Sequence, residues 1–195
     1  MPRYHETPLP LAAGLCLAMA VSLVQAQGHA DLASRTRATC TACHGATGNA
    51  SQAAVPSLAG QHARYLVKQL RDFRSGARNN AVMSPAAAPL SSTTIERLAA
   101  YYARQTAEPG TADPALVALG MAVYRGGGRS RAVAACMACH GPAASGNPAA
   151  GVPSLRGQRA EYTASQLRAY AAGERDNDTK AVMRAVAAAL TGKEI

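Results

Sequence analysis

Cys40-Thr41-Ala42-Cys43-His44-Gly45 and Cys136-Met137-Ala138-Cys139-His140-Gly141 lie 96 residues apart and decide how this chain is read. Working outward, Val55-Pro56-Ser57-Leu58-Ala59-Gly60-Gln61 repeats as Val152-Pro153-Ser154-Leu155-Arg156-Gly157-Gln158 at an offset of 97. Tyr65 and Leu70 recur as Tyr162 and Leu167 at the same offset, and Ala81-Val82-Met83 recurs as Ala181-Val182-Met183 at an offset of 100. The offset grows only in Gly/Asn/Asp-rich stretches, where loops absorb insertions. The chain is an internal duplication, and its seam is the Pro/Gly-bearing stretch around residues 109–114.

Helical periodicity runs through the duplication. Residues 31–43 read as a helix that ends at the first Cys/His cluster. Residues 61–75 align Tyr65, Leu66, Gln69, Leu70 and Phe73 near one stripe, with Gly76 as a stop. Residues 93–104 form a third helix, started by Ser92 or Thr93, with Leu98, Tyr101 and Tyr102 facing inward. Alternating strand patterns are missing, so the expected fold class is all-α, in two tandem domains. Each domain is small, and the whole chain has one Phe and no Trp. Such domains bury little by themselves, and a large flat apolar cofactor would complete the core.

The N-terminus adds a compartment. Leu9 to Val24 is mostly apolar and uncharged, and Val24-Gln25-Ala26 offers small or apolar residues where a signal peptidase inspects. Residues 1–26 read as a secretory leader cleaved after Ala26. The apolar run falls short of the roughly 20 residues of a membrane-spanning helix. Cys16 lies within the leader. The domains are then 27–108 and 115–195, joined by 109–114. The net charge of +9 survives processing, because the leader takes one charge of each sign with it. Export speaks against nucleic acid as a partner, and the basic charge points to acidic protein patches or anionic lipid.

Four cysteines remain, in two Cys-x-x-Cys-His motifs. Positions i, i+3 and i+4 share one helix face, so Cys40, Cys43 and His44 converge, as do Cys136, Cys139 and His140. Two thiols so placed add to the two vinyl groups of one haem, and the histidine ligates its iron. A shared zinc site fits poorly, because 92 residues separate Cys43 from Cys136 and zinc knuckles pair across short gaps. Local disulfides leave the histidines unexplained. The expected cofactors are two covalently bound haem c groups.

The second axial ligand follows by elimination. The second half has no histidine besides His140, so a ligand common to both halves is methionine, and the matched pair is Met83 and Met183. Met121 has no counterpart, Met137 lies inside its motif, and His62 matches Arg159. Ligation by imidazole and thioether raises the potential and leaves no open position. That suits an electron carrier and not an oxygen- or peroxide-activating enzyme. Metal-bound histidine usually donates its other N–H to an acceptor. Pro56 and Pro153 follow their histidines by 12 and 13 residues, and their carbonyls are the expected acceptors.

These residues together resemble the cytochrome c4 family. The resemblance implies two class I cytochrome c domains facing each other across a pseudo-twofold axis in the periplasm. It further implies redox partner proteins, a quinol-oxidising complex and a terminal oxidase, with peripheral association at the inner membrane. No small-molecule substrate is expected. The competing reading is an electron-accepting subunit of a periplasmic dehydrogenase, or a dihaem peroxidase-like enzyme. One departure stands out. Ile95 opens a helix in the first half, whereas its counterpart Ile195 is the last residue given, so the second domain lacks its terminal helix in this sequence. Thr191-x-x-Glu194 supplies a capping box there.

Overall fold

The computed structural model describes residues 37–128 and 133–195; the leader, His29 and the start of the first helix lie outside these residues. Among the described residues the secondary structure is helical, with one isolated bridge between Asn147 and Val152. Residues 37–44 (α1) are followed by α2 (Ala63–Ser75), α3 (Met83–Ala87) and α4 (Ser92–Ala103) in the first half. The second half holds α5 (Pro114–Gly126), α6 (Met137–His140), α7 (Ala160–Ala172), a 3-10 turn at Thr179–Ala181 and α8 (Val182–Ala189).

Local chemistry sets these bounds. Gly76 ends α2 at φ 81°, a left-handed C-cap that glycine adopts without a Cβ penalty. Helix α4 begins one residue before the expected range, because Ser91 is the N-cap and its Oγ accepts from Thr94 N at 3.1 Å. Pro114 opens α5: Asp113 caps the helix through Ala115 N, and Pro114 occupies the first turn, where no N–H is needed.

Helix α2 packs on α3 and α4, and this contact is the core of the first half. Of the α2 stripe, Leu66, Gln69 and Phe73 are buried, while Tyr65 and Leu70 are half-buried. Phe73 joins Ala87, Leu90, Ile95 and Leu98, and Ile95 is fully buried. Leu66 joins Ala99 and Tyr102, against which Cys40 packs. In the second half the buried apolar residues are fewer: Val123, Val133, Tyr170 and Ala187. There α7 packs on α8, and α5 leaves Leu116, Val117, Leu119 and Met121 exposed. At Thr191, Glu194 reaches back to accept from both the backbone N and Oγ1 at 2.8 Å, which forms one arm of a capping box.

The two halves meet through polar contacts that obey the duplication. Gln61 Nε2 donates to Ser154 O at 2.8 Å and Gln61 Oε1 accepts from Ser154 N at 3.0 Å. The matching Gln158 does the same to Ser57, with Nε2 donating to Ser57 O at 3.0 Å and Oε1 accepting from Ser57 N at 2.9 Å. Beside this pair, Arg78 donates to Gln69 and Gln166 and to the Tyr162 hydroxyl. Its counterpart Arg175 donates to Gln166, Gln69 and the Tyr65 hydroxyl. Each guanidinium also lies over a ring, Arg78 over Phe73 at 4.6 Å and Arg175 over Tyr170 at 4.5 Å. His62 also reaches across the seam, with Nε2 2.8 Å from Ser145 O.

Gln61 is buried, so truncating it strands a donor and an acceptor on the other half. The expected cost of Gln61→Ala is about 1–3 kcal/mol. Calorimetry should show the two halves melting farther apart in temperature, because the lost bonds join them.

Candidate haem attachment sites

Helix α1 carries Cys40, Cys43 and His44 on its last turn. Cys40 is half-buried and Cys43 exposed; Cys136 and Cys139 repeat that pattern. Burial pushes the Cys40 and Cys136 thiols above their ordinary pKa. Among the described residues, no group of three or more His, Cys, Asp or Glu gathers to hold a bare metal ion.

Each histidine is buried and held from one side. His44 Nδ1 donates to Pro56 O at 2.9 Å, and His140 Nδ1 donates to Pro153 O at 2.9 Å. A carbonyl only accepts, so the proton sits on Nδ1 and the lone pair on Nε2. Burial lowers both histidine pKa values, which keeps the rings neutral and able to ligate metal. The chain turns sharply after each motif. Gly45 sits at φ 82°, where a Cβ would meet Asn49 O at 2.3 Å, and Gly141 sits at φ 78°.

The methionines arrive by different routes. Met83 opens α3, is half-buried, and packs on the Phe73 cluster. Asn80 Oδ1 accepts from Val82 N and Met83 N at 3.0 and 2.9 Å, so that loop is capped from within. Met183 lies in the first turn of α8 and is half-buried. Met121 is 44% exposed on α5.

This donor set suits a haem in each half: two thiols on one helical turn, and beside them a neutral imidazole with its Nε2 unspent. The cross-seam residues Ser57, Gln61, Arg78, Ser154, Gln158 and Arg175 went unassigned in the sequence reading. The available signal was the recurrence of polar residues at one offset in both halves. A solvated residue has no reason to repeat in register.

A family model for cytochrome c matches residues 33–113 and again 127–193. The cytochrome c4 of Pseudomonas aeruginosa is 43% identical over 175 residues, covering 89% of this chain and 87% of that protein. The chain belongs to the cytochrome c4 family. The crystal structure of reduced recombinant cytochrome c4 from Pseudomonas stutzeri superposes with a TM-score of 0.80 at 41% identity, covering 84% of this chain and 92% of that one. A protein of Thiomonas intermedia named thiosulfate dehydrogenase electron acceptor is 42% identical over 161 residues, covering 79% of this chain and 72% of its own. As a member of this family the chain is a dihaem electron-transfer protein built from two cytochrome c domains. Cys40/Cys43 and Cys136/Cys139 are its covalent attachment motifs.

Proposed function

We propose that this protein relays electrons in the periplasm, from a quinol-oxidising complex toward a terminal oxidase, with His44/Met83 and His140/Met183 as the axial pairs of its two haems. Residues 27–108 and 115–195 are the two domains in this reading, and residues 1–26 are the leader removed after Ala26. Bound haem supplies a one-electron couple at each iron. The chain supplies the rest. Cys40, Cys43, Cys136 and Cys139 fix each ring covalently, so the couple is not lost by dissociation. Pro56 and Pro153 hold the imidazoles in one tautomer and one orientation, and thereby raise their basicity. Met83 and Met183 would hold each iron through a soft thioether sulfur, which would favour the reduced state and leave no position for a substrate.

The observation that carries this reading is the paired histidine–proline hydrogen bond at 2.9 Å in both halves, directly behind the cysteine pairs. No helix among the described residues is long and apolar enough to cross a membrane. A +9 chain is steered to acidic partner faces and to anionic lipid at the inner membrane. Neither nucleic acid nor a small-molecule substrate has a place in this reading.

Stopped-flow oxidation by a terminal oxidase tests the steering. The association rate should fall as salt rises from 10 to 150 mM, where the screening length shrinks from about 30 to about 8 Å. A rate that climbs with salt contradicts it. The relative in Thiomonas intermedia favours a second reading, reduction by a periplasmic thiosulfate dehydrogenase. Faster reduction by that enzyme than by the quinol-oxidising complex would select it. A dihaem peroxidase-like activity would require one axial ligand to leave, and a high-spin signal in the resting oxidised protein would reveal it.

A further inference from the structure

The two methionine loops differ in a way the duplication does not require. Arg78-Asn79-Asn80 leads directly to Ala81-Val82-Met83, whereas Arg175-Asp176-Asn177 is followed by three extra residues, Asp178-Thr179-Lys180, before Ala181-Val182-Met183. In the first loop Asn80 stays at home: its Oδ1 caps Val82 N and Met83 N, and its own N donates to Ser84 Oγ at 3.1 Å. In the second, Asn177 crosses the seam. Its Nδ2 donates to Asp72 Oδ2 and to Gln69 Oε1, and its carbonyl accepts from Lys68 Nζ at 2.7 Å. Lys68 is in turn paired with Asp72, one helical turn along α2.

Past that anchor the chain is strained. Lys180 and Ala181 have φ of 56° and 55°, in the left-handed region. A side chain there is disfavoured, because its Cβ crowds the following carbonyl oxygen. Such backbone persists only where its surroundings over-determine it. On the far side Asp178 accepts from Arg184 N at 3.0 Å and from Arg184 Nε at 2.8 Å. The near side is held by α2 of the other half. The arrangement has no mirror image: at the offset of 97, Lys68 and Asp72 correspond to Ser165 and Ala169, which have neither the charge nor the reach to clamp the Met83 loop.

We infer that Lys68 and Asp72 of the first half are positioning residues for Met183, so that the second haem's sulfur ligation depends on a clamp from the first half that the Met83 loop, which crosses the seam through Arg78, does not have. This rests on the reading of Met83 and Met183 as axial ligands. A movement of one half against the other, as on docking a redox partner, would then alter the second haem selectively.

The test uses the holoprotein and imidazole, which displaces methionine sulfur from ferric iron. Loss of the sulfur-to-iron absorption band is titrated. In a Met83→Ala background the band reports only Met183, and in a Met183→Ala background only Met83. Asp72→Ala should make Met183 about tenfold easier to displace, the effect of one charge-assisted hydrogen bond, and should change Met83 less than about twofold. Asn177→Ala should act on the same haem to a similar extent. The double variant should do no more than either single one, because the partners share one interaction. Asp72→Asn, which keeps an acceptor for Lys68 and Asn177, should restore most of the resistance. Equal effects on both haems, no effect on either, or multiplying effects would overturn the clamp. A Met83→Ala protein with no band at all would overturn the ligand assignment, and the clamp with it.

Discussion

Replacing Cys40 and Cys43 by serine removes one of the two haems and leaves the other attached. The hydroxyl does not add to a vinyl group, so His44 loses the covalent tether that keeps iron above it. The pyridine haemochrome absorbance per polypeptide should fall by half. Stability should fall more steeply in the first half than in the second. Its core of Phe73, Ala87, Leu90, Ile95 and Leu98, with Met83 against it, is small, and burial stabilises by only about 25 cal/mol per Å² of apolar area. The effect is the largest expected from any small change. Calorimetry of the variant should show one domain melting near its original temperature and the other far below it. A variant that still carried two haems would sink the assignment of these thiols.

Met83→Ala is the second large effect. On the proposed ligation, removing the thioether would leave the first iron with His44 alone, and water or hydroxide would take its place. Hard oxygen ligands favour ferric iron, so the potential of that haem should fall by about 0.2 V, well inside the roughly 0.8 V range that axial ligands span. The second haem should move little, since Met83 is tied to its own half through Asn80 and the Phe73 cluster. Spectroelectrochemistry resolves the two couples. Loss of half the sulfur-to-iron band should accompany the shift. An unchanged potential and a full band would reject Met83 as a ligand.

Much of this molecule was legible in its sequence. The α2 stripe is a 3.6-residue pattern, and Leu66, Gln69 and Phe73 turn inward as that pattern requires. The stop at Gly76 follows from a backbone conformation that few other residues enter cheaply. The family was legible because two Cys-x-x-Cys-His motifs in register admit little other chemistry. The seam was not. Gln61, Gln158, Ser57 and Ser154 are polar, and nothing in local periodicity separates a polar residue facing water from one facing another domain. Arg175 is the sharpest case. A basic chain invites the reading of arginine as solvated surface, yet Arg175 is only 7% exposed, spread between Tyr170, Tyr65 and the two interface glutamines. The left-handed turn at Lys180 and Ala181 was equally hidden. Neither residue is glycine, and the contacts of Asn177 and Asp178 that flank the turn join residues distant in sequence or on the next helix.

The asymmetry of the two halves has a functional sense. On the proposed ligation, a carrier with two equivalent haems gains nothing from clamping only the Met183 loop through Lys68 and Asp72. One whose second couple responds to the seam has a built-in way to adjust transfer when a partner docks. The seam suits that role because it is polar and hydrogen-bonded, so its contacts exchange for water at modest cost.

The most direct check on the whole account is the intact mass of the purified periplasmic protein, taken together with its pyridine haemochrome spectrum. The account predicts a polypeptide beginning at Gln27, heavier than bare chain by two haems, with two haem equivalents in the spectrum. Colourless protein, or a mass equal to that of the polypeptide alone, would contradict it.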